Sequence, residues 1–198
     1  MSTARSFRHQ QSHERILDAA ARAVRRAGVA GVGVAEVMKE AGLTHGGFYA
    51  HFASREALLA EALEHAGMQS TARVRERMRV RMDAGESAFS ALVNEYLSGQ
   101  HMDELELGCP VAAVSSDMQR AQDALREGAR HRVRALAAAV EAVLPGGSTP
   151  GSGWAVAASL LGAIQMARVL GPDGGGKEVL QACRETLLAK YERPGPAA

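Results

Sequence analysis

An all-α fold of about nine helices follows from three features of this sequence. Apolar residues recur at steps of three and four over long stretches, which is the spacing of one face of a helix. Alanine and leucine are heavily used and aromatics make up only 4%, a mixture that favours helix over sheet. The periodic runs are separated by glycine breaks at Gly28, Gly42, Gly85 and Gly108 and by the glycine- and proline-rich run 145–153.

Residues 1–10 are polar and basic and read as a flexible arm. A first helix is predicted over about 12–27, where Ile16, Ala20, Val24 and Ala27 share a face. Gly28 stops it, and Gly31-Val32-Gly33 links it to a second helix that Gly33 caps. The stretch 36–52 then reads as the end of that helix, a tight turn and a short third helix. Val37, Met38 and Ala41 give the second helix an apolar side. Gly42 falls just past its end, where a left-handed backbone is favoured. Leu43 packs inward, and Thr44 is placed to cap the next helix by accepting an amide hydrogen on its hydroxyl. Phe48 and Phe52, four apart, face the core, while His45, Gly46, Tyr49 and Ala50 face outward. Two helices about a glycine turn is the layout of a DNA-reading helix-turn-helix.

A long helix follows Ser54 and runs to about Met82, with Leu58, Leu59, Ala62 and Leu63 inward. Arg73, Arg75, Arg77, Arg79 and Arg81 alternate along it and so spread round its surface as solvated side chains. Further helices are predicted over about 86–99, from Pro110 to about Ser115, over 117–144, 154–170 and 176–190. The one over 117–144 would be roughly 40 Å long. The 154–170 segment is apolar nearly all round, and a helix buried on every side needs more than one neighbour. Either a second subunit supplies the extra neighbour, or this is the central core helix of a monomer.

The first 55 residues hold 8 Lys/Arg against 4 Asp/Glu, net +4, and the remainder 15 against 18, net −3. A basic front suits a phosphate-facing head. Cys109 and Cys183 are too few for a disulfide framework. The start of the chain lacks the apolar stretch of a signal peptide, and no run reaches the roughly 18 apolar residues of a membrane span. A cytoplasmic protein without membrane contact is expected. The seven histidines show no metal-ligand spacing, so neither a metal nor a cofactor is expected.

The runs Ala41-Gly42-Leu43-Thr44, Gly46-Gly47-Phe48-Tyr49-Ala50-His51-Phe52 and Ser54-Arg55-Glu56-Ala57-Leu58-Leu59 resemble the DNA-binding domain of TetR-family transcriptional regulators. The resemblance is strong over about the first 60 residues, and beyond them only the helical layout matches. It implies a helix-turn-helix head over 1–55, a connector helix from about 54, and an effector-binding and dimerisation domain over 56–198. It further implies a homodimer joined through the last two long helices, a palindromic operator in double-stranded DNA, an unknown small-molecule effector, and no enzymatic activity. Carried over residue by residue, Gly33, Val34, Thr44, His45, Gly46, Gly47, Tyr49, Ala50, His51 and Arg55 are the DNA-contacting positions. Among them Thr44, Tyr49, His51 and Arg55 would meet phosphates. Arg55 stands where the family more often has lysine, and a guanidinium can hold a phosphate in two contacts.

Direct base readout from this surface is sparse, because Gly46 and Gly47 carry no side chain and Ala50 offers a methyl. The two glycines either allow the backbone close to DNA or relieve crowding beside Phe48. Gly108-Cys109-Pro110 resembles an element of a TetR subgroup that includes electrophile-responsive repressors. Cys109 has two readings: a thiol activated at a helix start, or a small buried hydrophobe. Met68, Phe89, Tyr96, Met102, Met118, Trp154 and Met166 are candidates for a pliable ligand cavity. The sequence also admits two other functions, a Cys109-dependent enzyme and a helical ligand carrier that does not bind DNA.

Overall fold

The computed structural model describes residues 2–146 and 148–192, and the side chains from Ser6 onward. Among the described residues there is no strand. The helices are α1 (Ser2–Ala27), α2 (Val34–Glu40), α3 (Arg55–Asp83), α4 (Ala88–Tyr96), α5 (Gly99–Asp103), α6 (Pro110–Val114), α7 (Asp123–Glu141), α8 (Ser152–Leu170) and α9 (Gly176–Tyr191). Single 3-10 segments lie at His45–Ala50, Leu105–Leu107 and Asp117–Arg120.

Two compact units form. The first comprises 1–70 and 106–132, the second 71–105 and 133–198. Packing assigns the start of α3, α6 and the start of α7 to the same unit as α1 and α2, so this unit is not the 1–55 segment expected from sequence.

In the first unit, Ile16 and Val24 of α1, Val37 and Met38 of α2, Phe48, Phe52, and Leu58, Leu59 and Leu63 of α3 bury one core, joined by Val114 and Leu125. Each large apolar side chain enclosed there contributes about 2 kcal/mol. Residues 2–10 are not a loose arm but the first turns of α1. They contain no glycine or proline, and His9 and His13, one turn apart, stack on His51 and Phe52 with ring centroids 4.3 and 4.6 Å apart. That contact supplies the anchor that local sequence does not reveal.

In the second unit, α8 and α9 pack along each other, with α4 and α5 against them. Val156, Leu160 and Ile164 form the fully buried side of α8. The opposite side is open to solvent: Trp154 is 53%, Met166 59% and Val169 88% exposed. All-round burial of this helix is therefore not achieved within one chain. By length and composition α8 is also long and apolar enough to cross a membrane, contrary to the expectation that no segment would be.

Arg77 and Arg81 are not merely solvated. Arg77 bridges Glu95 at 2.9 Å and Glu104 at 3.1 Å, and Arg81 pairs with Glu86 at 3.0 Å. The Glu95 side chain is only 8% exposed, so these pairs neutralise a buried carboxylate that would otherwise be costly.

Two further expectations change. The stretch between the predicted helix over 86–99 and Pro110, where no helix was expected, contains α5, whose start is capped by the Ser98 hydroxyl accepting from the His101 amide. The long helix over 117–144 is interrupted, because Ala121 is extended. The Arg126 guanidinium donates to the Met118 and Ala121 carbonyls, satisfying acceptors that a continuous helix would have paired internally.

Candidate nucleic-acid interface

The exposed turn between α2 and α3 is built by a glycine stop. Gly42 has φ +68°. Its amide donates to the Lys39 carbonyl at 3.0 Å, and the Leu43 amide reaches back to Met38 at 2.9 Å. This paired closure satisfies the last carbonyls of α2. Arg15 of α1 donates to the Ala41 carbonyl beside it and fills the space a Cβ at Gly42 would need, 2.6 Å away.

Beyond the stop, His45–Ala50 is a 3-10 helix of six residues. Two adjacent glycines lower helix propensity by roughly 1 kcal/mol each, so the segment takes the tighter form used in short pieces. Thr44 stands at its start in extended conformation, but its hydroxyl accepts no capping bond, contrary to expectation. Phe48 is buried and stacks on Phe52 at 5.8 Å. This buried pair pins the segment, while Thr44, His45, Gly46, Tyr49 and Ala50 face solvent. Tyr49 is 75% exposed. Gly33, the N-cap of α2, is exposed as well, and Val34 and Gly47 are half-buried.

A Cβ at Gly46 would meet nothing within 4 Å, and one at Gly47 would make ordinary 3.7 Å contacts with Met38 and Thr44. Crowding beside Phe48 therefore does not explain these glycines.

His51 and Arg55 are tied inward. His51 is half-buried, lies against His9 and His13, and its Nδ1 is buried without a partner among the described residues. Burial first, and the two neighbouring imidazoles next, push its pKa down. Its charged form is disfavoured, so it meets this surface more as a hydrogen-bonding group than as a cation. Arg55 donates to the Val32 carbonyl at 3.0 Å and to the Val29 carbonyl at 2.6 Å. Its guanidinium fork is engaged by the α1–α2 link rather than held out for a phosphate.

Much of the basic charge of the front is similarly engaged. Arg22 pairs with Glu40 at 2.7 Å, Arg26 with Glu106 at 2.6 Å, and buried Arg25 donates to the Glu106 and Ala66 carbonyls. Lys39 is exposed at the end of α2 and makes no ion pair among the described residues. It was not singled out from sequence, although its place in the last turn before Gly42 marks it as a cation beside this exposed turn.

The candidate effector residues do not gather into one interior set. Phe89, Tyr96 and Met102 are buried in the second unit. Trp154 and Met166 lie on the open side of α8 and Met68 is 59% exposed on α3, so these three do not line an interior. Met118 is half-buried against the core of the first unit. Cys109 caps α6, with Pro110 in the first turn as expected. It is 8% exposed, which favours the packing reading over that of a reagent-accessible thiol.

Residues 16–62 match the family model described as bacterial regulatory proteins, tetR family. An uncharacterised helix-turn-helix-type transcriptional regulator of Mycobacterium tuberculosis, found in two strains, is 30% identical over 115 residues, 58% of this chain and 57% of that protein. The chain thus spans a little over half the length of these curated relatives. Among solved structures, the reduced form of Escherichia coli NemR superposes with a TM-score of 0.76 at 18% identity, over 93% of this chain and 98% of that one. A transcriptional regulator of the TetR family from Agrobacterium tumefaciens gives 0.70 at 18% identity, over 92% and 98%. At these identities the structural likeness is one of fold.

Proposed function

We propose that this chain is a TetR-family transcriptional regulator, a reading supported by the family match over residues 16–62 and by a fold shared with such a regulator, and that two copies form a repressor, released from a palindromic operator by a small-molecule effector. The observation that carries this reading is the exposed row Thr44, His45, Gly46, Tyr49 and Ala50, held outward by buried Phe48 and the Gly42 stop. A small, solvent-facing turn of this kind presents donors, a methyl and bare backbone to a major groove. With few side chains able to read bases, specificity rests on half-site spacing and on DNA shape.

The open side of α8, with Trp154, Met166 and Val169 exposed, supports pairing with a second copy, as exposed apolar patches commonly mark interfaces. Release follows if the effector binds better to an arrangement of the two heads that no longer matches successive grooves. The site of action is the cytoplasm, where the operator lies.

Selection from a pool of random duplexes tests the reading. The expected product is an inverted repeat whose half-sites lie one turn, about 34 Å, or a multiple of it apart, bound with an affinity that falls steeply with salt. Enrichment of no sequence, or binding insensitive to salt, would overturn it.

A further inference from the structure

The segment that carries α6 is tied to α1 at one end and to the link that follows α1 at the other. At its start, the Glu106 carboxylate receives the Arg26 guanidinium at 2.6 Å. At its far end, the Asp117 carboxylate accepts the Val29 amide hydrogen at 2.8 Å. Val29 opens the link between α1 and α2, immediately after the stop at Gly28, which has φ +67°. The approach is close enough that a Cβ at Gly28 would lie 2.6 Å from an Asp117 oxygen. On its other side Val29 presents its carbonyl to Arg55, at the start of α3. One residue of the link is thus gripped twice, by an acid from beyond α6 and by a base from the helix that follows the reading turn.

We propose that Asp117 is a positioning residue for DNA reading: it sets the α1–α2 link, and with it the seat of α2 and the reading turn. This rests on the regulator reading above. Asp117 belongs to a segment, 106–132, that packs with the head although both of its ends continue into the second unit. A shift of that segment therefore acts on the link through a charge-assisted hydrogen bond, among the stronger kinds a protein makes. The link cannot satisfy the Val29 amide in the same way by itself, because the left-handed turn at Gly28 carries this amide out of the helical ladder of α1.

The test uses the full chain carrying Asp117→Ala and Asp117→Asn. It reads affinity for the selected duplex, hydrogen exchange across residues 28–34 and 43–50, and exchange in α8 and α9 as a control. Losing a hydrogen bond to a charged group is expected to weaken DNA binding about tenfold, in Asp117→Ala. Exchange at the link should accelerate while α8 and α9 stay unchanged. Asp117→Asn keeps a carbonyl that accepts the Val29 amide and should restore most of both properties. Should Asp117→Ala not fold, Asp117→Ser, whose shorter side chain does not reach Val29, takes its place. Wild-type affinity together with wild-type exchange at the link would overturn the proposal. If the wild-type chain selects no duplex, the regulator reading fails, and exchange at the link still decides on its own whether Asp117 holds it.

Discussion

Single residues show most sharply how environment overrides type. His101 is buried, its Nδ1 lying 2.7 Å from the Tyr96 carbonyl. Burial chiefly, with Arg168 and Arg77 adding to it, lowers its pKa from 6.5 to about 4, against a smaller upward pull from the Tyr96 bond. In the unfolded chain the ring titrates near 6.5, so between that value and about 4 the unfolded state binds more protons than the folded one. Stability from this group is whole above pH 6.5 and is lost as the pH falls. About 2 kcal/mol should disappear by pH 5. Urea unfolding of the wild type and of His101→Asn at pH 7 and pH 5 measures it. The variant, which keeps an N–H donor for Tyr96 but no proton equilibrium, should show the smaller acid loss, and equal losses would contradict the assignment.

The sequence marked His101 only as a histidine without ligand spacing, and nothing local disclosed its burial. Arg55 teaches the same lesson in reverse. Its position matched a phosphate-contacting one by resemblance, yet its partners are carbonyls 23 and 26 residues away, a pairing that no local pattern encodes. Gly42 was legible, because a helix stop is a local requirement that sequence states directly.

Elements were legible where their determinants were local. Boundaries set locally fell where expected: α1 ends at Ala27 before Gly28, Ala41 caps α2 before Gly42, and Pro110 opens α6. The start of α1 and the interruption before α7 were not, because the imidazole stack and the Arg126 contacts come from tertiary structure. The reading turn joins both cases. Its outward residues were identified, but its 3-10 form follows from two glycines whose purpose the sequence left open. Gly46→Ala discriminates. A methyl there meets nothing in the protein, so folding stability should stay level or rise by up to about 1 kcal/mol. If the bare backbone lies against DNA, affinity for the selected duplex should drop about tenfold, the scale of one lost base-edge contact. Unaltered affinity in titrations followed by fluorescence anisotropy would show that the glycine serves neither purpose.

At the scale of the molecule, charge and apolar surface divide the labour. The front carries net +4, but ion pairs and carbonyl contacts of Arg15, Arg22, Arg25, Arg26 and Arg55 hold the head together. In the proposed DNA-binding role, its attraction for a duplex would accordingly be a summed field more than a row of free cations, and so sensitive to ionic strength. The periodic pattern recognised α8 as too apolar for one neighbour, and the structure leaves Trp154, Met166 and Val169 open on one side. Which surface closes that side is a property of the assembly. Sedimentation of the chain with the selected duplex addresses it directly, using the wild type and Met166→Glu. Two wild-type chains are expected on one duplex, and for the variant a monomer that binds at least about a hundredfold more weakly, having lost the avidity of two linked heads. A wild-type monomer that binds an isolated half-site as tightly as the full repeat would contradict this expectation.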